Sequence, residues 1–174
     1  MDESFKLYEL MIRVLHIQVQ LAYRHYKAEQ FHAMIDTGSD VTLVSQACYP
    51  AQYWKDLKRP NQILVASGQV SQLSKAVFGQ FIGIYDDTTK GRKILPLPTI
   101  VLQAPPDASY NILLGIDFLK RFTQYSSDHS QIKLLTACGH WITAPILPNP
   151  SIRHTIPFKP RIQHGDNAYI YHPI

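Results

Sequence analysis

The chain has 174 residues, 45% of them hydrophobic and 17% charged. That is enough for one ordinary core, or a core with a tail, and no apolar run approaches the roughly 18 residues of a membrane span. The formal charge is +4 and the isoelectric point about 9.0, but the basic residues are scattered (Lys55, Lys58, Arg59; Lys90, Arg92, Lys93; Lys120, Arg121). Without a basic stripe, a zinc knuckle or an RNP-like aromatic motif, a nucleic-acid module is excluded as the first reading. Two cysteines, Cys48 and Cys138, are too few for a disulfide framework and fit a reducing compartment. Cys138-Gly139-His140 has no second ligand cluster, so no metal and no cofactor is implied. Met1-Asp2-Glu3-Ser4 lacks the basic-then-apolar pattern of a secretory signal, which argues against secretion.

Along the chain, Leu15, Ile17, Val19 and Leu21 alternate with His16, Gln18 and Gln20, the period of a half-buried strand. A turn over Tyr23 to Tyr26 and a returning strand, Glu29 to Ile35, form a hairpin that delivers Asp36. His16, His25 and His32 are read as residues of its polar face. Val41 to Ser45 continues as a strand, and Pro50 to Pro60 reads as irregular or weakly helical. Ile63 to Leu73 is an apolar strand, a small turn (Ala66, Ser67, Gly68, Gln69) and a second strand. Such a hairpin suits a mobile cover over a groove. Val77 to Tyr85 and Ile94 to Leu102 supply further strands around the polar turn 86–91. Ile116 to Phe122 predicts one short helix with Lys120 and Arg121 near its C-terminus. Gln131 to Leu135 and Trp141 to Ala144 predict a hairpin around 137–140. From Pro145 onward six of the twelve prolines fall within 30 residues, which reads as an extended tail.

One segment carries chemistry. Ala33-Met34-Ile35-Asp36-Thr37-Gly38-Ser39-Asp40-Val41-Thr42-Leu43-Val44 places a carboxylate at the end of an apolar strand. A buried Asp is costly unless it is hydrogen-bonded or neutralised. Thr37, Gly38 and Ser39 offer a hydroxyl, a residue tolerant of unusual φ, and a donor. A second apolar run, Tyr110-Asn111-Ile112-Leu113-Leu114-Gly115-Ile116-Asp117-Phe118-Leu119, follows, with Gly115 lying 79 positions beyond Asp36.

Asp-Thr-Gly-Ser inside apolar residues, followed by Leu-Leu-Gly and a helix, resembles the retropepsin family of aspartic proteases over roughly residues 10 to 145. Within it the chain is most similar to proteases of plant pararetroviruses (the caulimovirus family, badnavirus and tungrovirus type) and related retroelements. The resemblance implies an all-β, closed barrel or sandwich with a flap hairpin and one short C-terminal helix. It divides the chain into a protease domain, 1–145, and a Pro-rich linker or tail, 146–174. It implies an endopeptidase acting on a viral or retroelement polyprotein, in the host-cell cytoplasm or the virion, with no membrane and no specific nucleic acid as partner.

Only one Asp-Thr-Gly is present, so the resemblance implies a homodimer with Asp36 from each chain as catalytic acid and base. On this pattern Thr37 ties the two loops together, Gly38 lets substrate approach the backbone, Ser39 hydrogen-bonds the carboxylate, and Asp40 orders the substrate main chain. Ala66, Ser67, Gly68 and Gln69 form the flap. Leu113, Leu114 and Gly115 pack beneath the active loop. Many members carry Arg directly after this glycine, pairing with the acid at the position of Asp40. Here Ile116 stands in its place, which implies a weak dimer. Two other readings stay open: a silent retropepsin-like dimerisation or binding domain, and a basic nucleic-acid module. Peptide cleavage that is lost in Asp36→Asn separates the first reading from both.

Overall fold

The alternation beginning at Leu15 becomes β1 (Leu15–Tyr23), which turns back tightly at the Tyr23–Tyr26 pair into β2 (Tyr26–Ile35). The computed structural model describes residues 15–23, 26–64 and 68–147, and their side chains apart from 22–29. The strands that follow are β3 (Leu43–Val44), β4 (Lys55–Leu64), β5 (Val70–Phe78), β6 (Phe81–Asp86), β7 (Gly91–Pro96), β8 (Ile100–Gln103) and β9 (Ile112–Leu114). After them come a short helix, α1 (Ile116–Leu119), and then β10 (Gln124–Ser127), β11 (Gln131–Leu135) and β12 (Trp141–Pro145). Nine strands form one sheet in the order β4-β5-β8-β3-β9-β2-β1-β6-β7, and β10-β11-β12 form a second.

The all-β class is as expected from the sequence, but the large sheet does not close into a barrel. β4 and β7 end it as edges. The strands that follow α1 pair among themselves instead of bridging those edges. The tie between the two sheets is made elsewhere. Asp86 at the end of β6 is 1% exposed and accepts from the Thr143 N–H of β12 at 2.9 Å and the Thr89 hydroxyl at 2.9 Å. Burial alone would raise this carboxyl, but the donors from Thr143, Thr89 and Thr88 hold it below the usual range.

Further differences from the sequence reading have local causes. Lys55 to Pro60 is strand, not irregular chain. It lies on an edge, where a proline's missing N–H is tolerated, and it bulges between Asp56 and Asn61 against β5. Val77 to Tyr85 breaks at Gly79, whose φ of +64° turns the chain. Ile94 to Leu102 divides around Pro96 and Pro98, which cannot donate to a ladder. β10 was not anticipated because all four of its residues are exposed and show no apolar alternation. His16 is not on a solvated face: it is 2% exposed, and burial followed by the nearby His32 lowers its pKa to about 4. His25 lies outside the described residues.

The core divides in two. Ile17, Val19, Leu21 and Phe31 of the first hairpin pack with Phe118 and Leu119 of α1 and with Ile132, Leu134 and Ile142 of the second sheet. Burying each such side chain fully contributes about 1.5–3 kcal/mol. A smaller cluster joins Met34, Leu43, Leu102, Tyr110 and Leu113 to Leu73 and Ala76 at the base of the β4–β5 hairpin. Ile146 and Leu147 stay attached to the fold, their N–H groups donating to Ser130 and His16 carbonyls at 2.9 and 2.8 Å. Residues 148–174 of the expected tail lie outside the described residues.

Candidate active site

β9 positions the site. It runs parallel to β2, with Ile35 opposite Leu114, and antiparallel to β3, with Leu43 opposite Leu113. All three of its residues are buried, which explains the unbroken Ile-Leu-Leu. Because β2 and β3 flank β9, the connection 36–42 must cross over the point where β9 ends, at Gly115. A Cβ on Gly115 would overlap the Val41 carbonyl oxygen and lie 2.8 Å from the Ser39 carbonyl oxygen. Only glycine fits the crossing.

Several hydrogen bonds fasten the crossing. The Asp36 N–H donates to the Leu114 carbonyl at 3.0 Å, and the Ile116 N–H donates to the Ser39 carbonyl at 2.8 Å. The Gly38 N–H donates to the Asp36 carboxylate at 2.9 Å. Ser39 does not fill the expected role, since its hydroxyl donates to the Val41 carbonyl at 2.8 Å and stiffens the loop. Geometry gives the Gly38 amide, two residues on from Asp36, the better approach.

Asp36 is half-buried and opens on a groove of about 710 Å3. Gly38, Ser39, Asp40 and Val41 line one side of it; Gln62, Ile63, Leu64 and Gly68 of the β4–β5 hairpin line another; Leu43, Tyr110 and Leu113 complete the walls. The structure thus brings the Asp-Thr-Gly loop, the expected flap and Leu113 to one cavity. Thr37 is exposed. Gly68, with φ of +87°, and Gln69 are exposed near the tip of the β4–β5 hairpin, while Ala66 and Ser67 lie outside the described residues. Leu114 and Gly115 sit beneath the loop, away from the groove's lining. A second cavity of about 540 Å3, walled by Tyr49, Trp54, Pro105 and Pro106, has no carboxylate in its lining.

Two features escaped the sequence reading. Tyr110 is 5% exposed and lines the groove. Burial, with the charges of Asp107 and Asp36, raises its phenol further above neutrality, so it stays a neutral hydroxyl. Its place just before the second motif was the only signal. The other is Asp117, in the first turn of α1. Its carboxylate reaches back to the active loop, accepting the Thr42 hydroxyl at 2.7 Å and the Thr42 N–H at 3.1 Å.

The family model for the cauliflower mosaic virus peptidase (A3) matches residues 12–137. The enzymatic polyprotein of cauliflower mosaic virus (strain BBC) is 22% identical over 111 residues, covering 64% of this chain and 15% of that protein. The enzymatic polyprotein of carnation etched ring virus is 28% identical over 94 residues, covering 54% of this chain. The chain therefore spans only 15% and 13% of the length of these relatives. Among solved structures, the retroviral protease-like domain of Ddi1 from Leishmania major aligns with a TM-score of 0.49 at 13% identity, covering 79% of this chain and 92% of that one. With the family model matching well over half of its length, the chain belongs to the cauliflower mosaic virus peptidase (A3) family.

Proposed function

We propose that the chain is an aspartic endopeptidase that cleaves a viral polyprotein, with the Asp36 carboxylates of two chains paired across a homodimer. The observation that carries this reading is Asp36 itself, half-buried at a groove between the flap hairpin and Leu113, with the Gly38 amide on its carboxylate. The walls supplied by Val41, Leu43, Ile63, Leu64 and Leu113 suit an extended peptide with apolar side chains.

Hydrolysis by this chemistry needs two carboxylates about 3 Å apart that share one proton, because like charges so close do not both ionise. The ionised Asp36 takes a proton from water, and the resulting hydroxide attacks the scissile carbonyl carbon. The protonated Asp36 gives its proton to the carbonyl oxygen. As the tetrahedral intermediate collapses, the C–N bond breaks, the amine takes the proton drawn from water, and a hydroxyl of the diol returns its proton to the second Asp36 as the carboxyl C=O forms. Both carboxylates return to their starting states. Within the same chain Asp117 does not line the groove and is already engaged by both donors of Thr42, so it is not free to serve as the second acid. Thr37, Gly38 and Asp40 then serve as loop tie, close-approach residue and main-chain acceptor.

The test is cleavage of a panel of peptides with apolar residues on both sides of the scissile bond. Wild type is expected to cut, and Asp36→Asn, which cannot cycle the proton, is expected to be inert while remaining folded. Cleavage surviving in Asp36→Asn would refute the reading.

A further inference from the structure

Ile116 occupies the position that would otherwise supply an ionic tie to the active loop, yet the loop is held by a different device one residue later. The carboxylate of Asp117 accepts the Thr42 hydroxyl at 2.7 Å on Oδ1 and the Thr42 N–H at 3.1 Å on Oδ2. The Thr42 oxygen in turn accepts the Gly115 N–H at 3.2 Å. Thr42 is fully buried, so each of these groups would be left without water if its partner were removed. Three hydrogen bonds thus join the last residue of the Asp36 loop to the two residues around the start of α1. Among the described residues these are the side-chain bonds that span the two motifs. The Asp117 N–H adds a longer backbone bond to the Asp40 carbonyl at 3.3 Å.

We infer that Asp117 is a positioning residue for the proposed reaction, acting through Thr42 to hold the Asp36 loop at the angle the carboxylate pair requires. The inference rests on the protease reading for its kinetic part but makes a separate claim about the loop. A carboxylate suits this task better than an amide, because it accepts both Thr42 donors at once, and hydrogen bonds to an ionised acceptor are the stronger kind. An Asn would accept from one and present an N–H to the other. The loop is short, seven residues from Asp36 through Thr42, so freedom at its end reaches the catalytic carboxylate. Small misplacements of reacting groups are costly, up to about 100-fold in rate for about 1 Å.

The full chain is compared with Asp117→Asn, Asp117→Ala, Thr42→Val and the Asp117→Ala/Thr42→Val double variant. Two readouts are taken: kcat and KM on a cleaved peptide, and amide hydrogen exchange of residues 38–42 against that of β1 and β6. Asp117→Asn is expected to lower kcat about 10-fold with KM within about 2-fold, and Asp117→Ala to lower it about 100-fold. The double variant is expected to be no worse than Asp117→Ala, because both substitutions break one unit. Exchange of the loop amides is expected to rise about 10-fold or more in Asp117→Ala while β1 and β6 keep their protection. A merely structural role would instead raise exchange across the sheet together. Wild-type kcat in Asp117→Asn and Asp117→Ala, additive losses in the double variant, or unchanged loop exchange would each overturn the inference. If wild type cleaves nothing, the protease reading fails on that readout, and the exchange data still decide whether Asp117 holds the loop.

Discussion

The amide of Asp36 donates to the carbonyl of Leu114 across 3.0 Å, so two motifs far apart in the chain meet end to end. That contact forces the loop after Asp36 over Gly115. Replacing Gly115 with alanine puts a Cβ 2.7 Å from the Val41 carbonyl carbon and 2.8 Å from the Ser39 carbonyl oxygen. Both are backbone atoms that cannot turn aside. Gly115→Ala is expected to destabilise the fold by about 2 kcal/mol or more and to abolish cleavage. Thermal unfolding monitored by circular dichroism checks the first part. A wild-type midpoint would show that the crossing has room to spare.

Tyr110 offers a cleaner probe of the groove. Phenylalanine keeps the buried ring and removes only the hydroxyl, which burial holds in its neutral form. Tyr110→Phe is expected to raise KM about 2- to 10-fold, the worth of one hydrogen bond to substrate, with kcat and the unfolding midpoint little changed. Steady-state kinetics on one peptide decide it. An unchanged KM would place the hydroxyl outside the substrate's reach.

Acid works against the fold even where it suits the chemistry. The buried His16 has its pKa lowered to about 4 by burial and then by His32. Between the ordinary value near 6.5 and that value the unfolded chain binds the extra proton. Stability is therefore full above the upper limit and is lost as pH falls toward the lower one, by about 3 kcal/mol in all. Asp86 adds to this at lower pH, since its depressed carboxyl contributes stability that disappears on protonation. Denaturant midpoints measured from pH 7 to pH 4 should fall in wild type and flatten in His16→Gln. Parallel curves would remove His16 as the cause.

The two motifs made much of the site legible. Each is a polar or glycine interruption in an apolar run, and the runs are apolar because β2, β3 and β9 are buried side by side. The first hairpin was equally legible, because Ile17, Val19 and Leu21 face the core at period two. What the pattern could not show depends on partners distant in sequence. Ser39 bonding Val41 instead of Asp36, and Asp117 reaching Thr42, are choices among nearby donors that only geometry settles. β10 and the Pro60 stretch of β4 lie on exposed edges, where the absence of a buried face removes the periodic signal.

Two Asp36 residues, one from each of two chains, are proposed to form one catalytic site. Mixing tests it most directly. Wild type and Asp36→Asn chains are combined in varying proportion at fixed total concentration, and the initial cleavage rate is followed. If activity requires Asp36 from both partners, the rate falls as the square of the wild-type fraction, to about a quarter in an equal mixture of freely exchanging chains. A rate that falls only in proportion to the wild-type fraction would mean that one chain suffices, and residual cleavage by pure Asp36→Asn would mean that Asp36 is not the catalytic acid.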